Sequence, residues 1–103
     1  MFRGGGNTDT NLTPRPGKDT EGEKRGLSTF DTPEKAARPG EKVQEIDVAK
    51  LGPDLEAFKT PDGHVSIRPK DDSKLGDWAS QRGQPNDLTD QVRQGRVGEA
   101  KRT

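Results

Sequence analysis

The sequence contains no cysteine and one histidine, and its 103 residues carry no formal net charge. The lack of cysteine excludes a disulfide framework and a thiolate metal site. A single histidine excludes a zinc site built on several imidazoles, so we expect no metal centre. Because 18 basic residues balance 18 acidic ones, we do not expect general nucleic-acid binding, which needs a surplus of positive charge to displace counterions.

Long apolar runs are also missing. Hydrophobic residues make up 23% of the chain, and charged residues make up 35%. No apolar stretch approaches the length that crosses a membrane, so we expect neither a membrane segment nor a signal peptide in this chain. A chain of this size forms one domain around a small core. We expect that domain to span residues 1–94, and residues 95–103 to form a frayed tail.

Irregular segments alternate with short regular ones. Residues 7–24 are rich in Thr, Asp, Pro, Gly, Lys and Glu, which predicts a long loop. Strand-like patterns occur at residues 1–3, 42–48 and 64–68, with a shorter one at 55–58. The predicted class is therefore α+β, with short helices and long loops.

Three helix starts can be read from capping residues. Thr32 precedes a proline at the first helical position, Ser73 precedes a segment with helical spacing, and Asp87 precedes a third segment. Trp78 lies on the second of these segments. We expect this tryptophan to be buried and to anchor its helix on the sheet.

The one histidine lies on a segment with strict alternation, residues 62–69. Val65 and Ile67 point to one face of a strand, whereas His64, Ser66 and Arg68 point to the other. This polar face is either one wall of a site or the wet side of a half-exposed strand. Both interpretations remain open at this point.

Three short motifs, taken together, resemble a known family. The segments Phe-Arg-Gly-Gly (2–5), Gly-Leu-Ser-Thr-Phe-Asp (26–31) and His-Val-Ser-Ile-Arg-Pro (64–69) occur in this order. They resemble bacterial toxin modules with an ADP-ribosyltransferase-like fold, of the kind delivered by type VI secretion and by polymorphic toxins. The resemblance covers most of residues 1–70 and implies a small split sheet.

The resemblance implies that nicotinamide adenine dinucleotide (NAD) lies in a cleft between two small sheets. Arg3 matches the early-strand arginine that holds a phosphate or the nicotinamide ribose. Gly4 begins a glycine turn at the rim of the cleft. Ser28 and Thr29 match the strand that shapes the nicotinamide pocket, and Phe30 is placed to stack on the ring.

His64 and Ser28 are the candidate catalytic residues. The implied reaction breaks the glycosidic bond to nicotinamide through an oxocarbenium-like state, which a glutamate normally stabilises. The chain departs from the family pattern because no recognisable catalytic glutamate pair accompanies the three motifs. The resemblance also implies a larger carrier polypeptide, a cognate immunity protein, and delivery by the carrier into the cytoplasm of a target cell.

Two other functions remain open. A small ribonuclease toxin would use His64 as its acid-base group, Arg68 to stabilise the phosphate, and Glu45 or Glu56 as a second proton-transfer group. A partly disordered interaction protein would need none of these residues.

Overall fold

Six strands form one antiparallel sheet in the computed structural model, which describes residues 1–103. Their order across the sheet is β4-β5-β2-β1-β3-β6. The strands are β1 (Phe2–Gly4), β2 (Leu27–Phe30), β3 (Lys42–Ile46), β4 (Leu55–Lys59), β5 (His64–Pro69) and β6 (Arg96–Lys101). The α+β class is confirmed, and the strand-like segments near residues 1–3, 42–48 and 64–68 lie in one sheet.

The sheet is joined at its centre by a single residue pair. β1 and β2 are paired only at Phe2 and Phe30, whereas β2 pairs with β5 along all four of its residues. β1 is in turn paired with β3 along its full length. The sheet therefore consists of two three-stranded halves, β4-β5-β2 and β1-β3-β6, with a gap in their pairing beyond Phe2.

Three short helices accompany the sheet: α1 (Pro33–Ala36), α2 (Leu75–Ser80) and α3 (Asp87–Gly95). Two 3-10 turns cover Val48–Lys50 and Asp72–Lys74. None of these helices has the length and apolar character needed to cross a membrane. The core consists of eight buried side chains from the sheet, from α2 and α3, and from the first loop: Leu12, Leu27, Ile46, Leu55, Ile67, Leu75, Trp78 and Val92.

Trp78 anchors this core, and its predicted burial is confirmed at 1% exposure. Its indole Nε1 donates a hydrogen bond of 2.9 Å to Thr89 Oγ1 on α3. That hydroxyl also lies 2.7 Å from Thr13 Oγ1. The long loop of residues 7–24 is thus irregular, as predicted, but it is tied to the core because Leu12 and Thr13 are buried in it.

The helix starts agree only partly with the sequence patterns. Thr32 caps α1 as predicted, since its side chain accepts a backbone hydrogen bond from the first turn. The predicted caps Ser73 and Asp87 are wrong, because Asp71 caps the 3-10 turn before α2 and Asn86 caps α3. In each case the cap is the last residue with extended backbone, and the predicted residue already lies inside the helical segment.

The predicted frayed tail is also wrong. Residues 96–101 form β6, which pairs with β3 at the edge of the sheet. Polar side chains fix this strand: Arg96 Nε donates to Gln44 Oε1 at 2.6 Å, and Gln44 Nε2 donates to Glu99 Oε1 at 2.8 Å. Two of the charged residues that suggested a solvated tail, Arg96 and Glu99, are thus hydrogen-bonded to Gln44 on the neighbouring strand.

Candidate functional site

β5 is buried along its whole length, so one of the two interpretations left open, the wet side of a half-exposed strand, is wrong. The loop before β2 covers its polar face. Ser66 Oγ donates to the Lys24 carbonyl at 2.8 Å, and Arg68 Nη2 donates to the Glu23 carbonyl at 2.8 Å. The Arg68 guanidinium also lies 4.5 Å from the centre of the Phe58 ring, a cation–π contact.

Two hydroxyls bracket the imidazole of His64. Its Nε2 lies 3.1 Å from Ser28 Oγ, and its Nδ1 lies 3.3 Å from Ser66 Oγ. The strand register produces this contact, because His64 is directly opposite Phe30 and Ser66 is directly opposite Ser28. Side chains of residues paired in this way share a face of the sheet.

His64 is 7% exposed and packs edge-to-face against the Phe30 ring at 5.3 Å. Burial lowers the pKa of His64 below its ordinary value, and the positive charge of Lys24 adds to this effect. The nearby carboxylates of Asp62 and Asp19 act in the opposite direction but are the weaker influence. The neutral imidazole is therefore the favoured form near pH 7.

Arg3 connects the two halves of the sheet. Its Nη1 donates to the Ser28 carbonyl at 2.9 Å, and its Nε donates to the Asn11 carbonyl at 3.0 Å. Burial lowers the pKa of Arg3 to about 10, partly offset by the attraction of Asp19. The guanidinium stays charged at neutral pH, so β1 presents a fixed positive group beside β2.

An open groove of about 490 Å³ lies where β1 and β2 are no longer paired. Residues from both halves of the sheet, the glycine turn, the first loop, α1 and the segment after α2 line it: Arg3, Gly4, Gly5, Asn11, Arg15, Ser28, Phe30, Ala36, Glu41 and Arg82. Gly4 and Gly5 form part of one wall of the groove without side chains. A Cβ on Gly4 would clash with the Ala36 carbonyl, and Gly5 has a φ of +95°, which side chains rarely adopt.

The groove is rich in arginine. Arg15 is paired with Asp19, with 3.2 Å between Nε and Oδ2. Arg82 Nε donates to a backbone carbonyl and, like Arg3, has no carboxylate partner. Glu41 is the one acidic side chain in the lining. The positive charge of Arg3 and Arg82 therefore favours an anionic ligand.

The structure brings four of the six residues singled out from the sequence to this groove: Arg3, Gly4, Ser28 and Phe30. Thr29 does not reach it, because alternation along β2 turns its side chain into the core, where Oγ1 donates to the Val65 carbonyl at 2.7 Å. His64 is not part of the lining either. It lies behind Ser28 and is connected to the groove through that hydroxyl.

Several groups at the site carried no separate signal in the sequence. Asn11, Arg15 and Arg82 come from loop and helix-end positions that only the fold brings together. The chain does contain one Glu-x-Glu segment, at residues 21–23, but both glutamates are exposed and neither lines the groove. No group of three or more His, Asp or Glu side chains is placed to hold a metal ion.

Comparisons with protein-family models, with curated proteins and with solved structures found no match to this chain. The candidate site thus rests on its own geometry: a groove at the division of the sheet, two arginines without a carboxylate partner, and a serine hydroxyl backed by a buried imidazole.

Proposed function

We propose that this chain is a bacterial antagonism toxin domain with an ADP-ribosyltransferase-like split sheet, and that NAD is its substrate. One observation carries the proposal: Arg3 and Ser28, from separate halves of the sheet, meet at the place where the pairing of the halves ends. The three motifs that resemble the toxin family lie on β1 and β2, which line this site, and on β5, which pairs with β2 behind it.

The sheet geometry supports the split-sheet interpretation. The family resemblance implies a nucleotide bound between two small sheets. Here two three-stranded halves are joined at one residue pair and enclose an open groove of about 490 Å³. Pockets that bind drug-sized ligands commonly measure about 300–1,000 Å³, a range that includes this groove.

The charges of the groove suit the pyrophosphate of NAD. Arg3 and Arg82 have no carboxylate partner, and the planar guanidinium group can donate two parallel hydrogen bonds to one phosphate. Arg3 is already held by two carbonyls, so its orientation is fixed before a ligand arrives. Such a preorganised donor lowers the entropic cost of binding.

The nicotinamide end of NAD fits beside Ser28 and Phe30. The Phe30 ring lines the groove, and its contact with His64 holds it in place. Cleavage of the bond between nicotinamide and ribose builds positive charge on the sugar. Glu41, the acidic side chain of the lining, is the group we propose to stabilise this charge in place of a catalytic glutamate pair.

Two measurements test this function. One is the release of nicotinamide from NAD by the purified chain, and the other is the growth of bacteria that express the chain. The intact chain should release nicotinamide and arrest growth, and Arg3→Ala should abolish both. Arg93→Ala is the matched control, because Arg93 also ties the first loop to the rest of the chain through Asn7 and Asp9 but lies outside the groove. Equal activity in the two variants would refute the proposal, provided that both show a cooperative thermal transition.

The ribonuclease alternative has less support. Both ring nitrogens of His64 are engaged by Ser28 and Ser66, and the Arg68 guanidinium is held under the loop at 6% exposure. Neither group is free to contact a phosphodiester. A partly disordered interaction protein is not favoured by a chain whose buried core includes residues from both ends of the sequence.

The remaining proposals follow the family resemblance. We propose that a larger carrier polypeptide delivers the domain into the cytoplasm of a target cell, and that a cognate immunity protein protects the producing cell. Co-expression with the neighbouring genes tests the second point, since one of them should restore growth.

A further inference from the structure

The hydrogen bonds around His64 have a defined direction. The Lys24 carbonyl can only accept, so Ser66 Oγ donates its proton there over 2.8 Å. The lone pairs of Ser66 Oγ are then left to accept the proton on His64 Nδ1. In a neutral imidazole the other nitrogen carries a lone pair. Nε2 therefore accepts the hydroxyl proton of Ser28 across 3.1 Å.

This arrangement is that of an activated nucleophile. A serine hydroxyl becomes reactive when an adjacent base can take its proton and a third group orients that base. Ser28 is the hydroxyl, His64 the base and Ser66 the orienting group, and burial keeps the imidazole neutral and able to accept a proton. The charged groups that act on His64 are Lys24 and Arg68, which disfavour a further positive charge, and Asp62 and Asp19, which favour it.

Ser28 and His64 differ in their access to solvent, and therefore in what a ligand can contact. Ser28 lines the groove, whereas His64 does not and is 7% exposed. A ligand in the groove can therefore touch the hydroxyl but reaches the imidazole only through it. The Arg3 guanidinium, 2.9 Å from the Ser28 carbonyl, lies beside the same hydroxyl-bearing residue.

We propose that Ser28 Oγ is a nucleophile that takes the ADP-ribosyl group from NAD, so that the reaction passes through a covalent adduct on this chain. This inference rests on the proposed function. In the first step a bond forms between Ser28 Oγ and C1′ of the nicotinamide ribose, and the bond from C1′ to the nicotinamide nitrogen breaks. The electron pair leaves with nicotinamide, which departs neutral, and the Ser28 proton moves to His64 Nε2.

Transfer to a target completes the sequence. A hydroxyl or amine of the target attacks C1′ and gives its own proton to solvent. Ser28 Oγ then leaves with the proton held on His64 Nε2, which restores the starting state. Without a target, the adduct on Ser28 accumulates.

Mass spectrometry of the full chain, incubated with NAD alone and quenched in acid, tests this step. We expect one ADP-ribose per chain, assigned by fragmentation to Ser28. Ser28→Ala should form no adduct. Ser80→Ala, which removes an exposed serine hydroxyl outside the groove, should behave as the unaltered chain.

Two further variants separate a chemical role of His64 from a structural one. His64→Gln should slow adduct formation by about 100-fold, the low end of what a general base contributes, and should flatten the pH profile of its rate between about pH 5 and pH 8. Ser66→Ala, which keeps the base but loses its orientation, should slow it by about tenfold and keep the pH profile.

The outcomes separate this inference from the function on which it rests. Nicotinamide release without an adduct on Ser28, or release by Ser28→Ala at the unaltered rate, would overturn the nucleophile and leave the NAD-dependent function standing. An absence of both NAD binding and nicotinamide release would overturn the proposed function, and the inference with it.

Discussion

Each half of the sheet contains a buried polar network, and the two networks end differently. In the β1-β3-β6 half, the fully buried Gln44 amide donates to Gly5 O and Glu99 Oε1 and accepts from Arg96 Nε. We call this the Gln44 network. In the β4-β5-β2 half, the Ser28 network runs from the Lys24 carbonyl through Ser66 and His64 to Ser28 Oγ.

The difference lies in what remains unpaired. Both amide protons of Gln44 have protein acceptors and its oxygen accepts from Arg96, so the network is closed at Gln44 and this buried amide has no donor left for a ligand. The Ser28 network ends at a hydroxyl on the groove wall, which keeps free lone pairs. A closed network stabilises the pairing of β3 with β6, whereas an open one next to a cavity provides a reactive or ligand-binding group.

The largest expected effect comes from breaking the closed network. Gln44→Ala removes three hydrogen bonds and leaves the Gly5 carbonyl and Arg96 Nε without the Gln44 side chain as partner. We expect the free energy of unfolding to fall by about 2 kcal/mol. Urea denaturation measures it. Gln94→Ala, at an exposed position on α3, is the control and should change stability little; equal losses in both variants would show that the network contributes nothing.

We expect a smaller loss of stability, but a large loss of activity, when the open end of the Ser28 network is removed. Ser28→Ala removes one hydrogen bond to the imidazole at a position already next to the groove. The free energy of unfolding should therefore fall by about 1 kcal/mol or less, while growth arrest is lost. If Ser28→Ala destabilised the chain as much as Gln44→Ala, the contrast between the two networks would disappear.

The smallest expected effect is a dependence of stability on pH. Because burial lowers the pKa of His64 in the folded chain, the unfolded chain, with an ordinary value of about 6.5, binds a proton that the folded chain does not. The contribution of His64 is complete above about pH 6.5 and is lost as the pH falls towards the lowered value. Below that pH, the free energy of unfolding from denaturation curves should fall more for the unaltered chain than for His64→Gln. If the free energy of unfolding depended on pH in the same way in both variants, the pKa of His64 would not be lowered by folding.

Local patterns were sufficient for four of the six strands, β1, β3, β4 and β5, and for the burial of Trp78 in the core. Alternation in residues 62–69 predicted both the strand and the shared face of His64 and Ser66, and the register of β2 against β5 adds Ser28 to it. The spacing around Trp78 predicted its burial. These features depend on side-chain periodicity, which can be read directly from the sequence.

Contacts between distant segments could not be predicted in the same way. The cover over β5 depends on carbonyls at residues 23 and 24, and any residue type provides a carbonyl. The pairing of β6 depends on Gln44, whose role is visible only with Arg96 and Glu99 in place. Likewise, the position of Arg82 in the groove is set by the path of the chain after α2.

The central claim, that the division between β1 and β2 is a nucleotide site, is tested most directly by NMR titration of the isotope-labelled chain with NAD. The amide signals of Gly4, Gly5 and Ser28 should move and saturate. Those of Gly98 and Glu99 on β6, which line a separate depression of about 220 Å³ that β1, β3 and α1 also border, should stay in place. Signals that move only at the β6 depression, or nowhere in the chain, would contradict the claim.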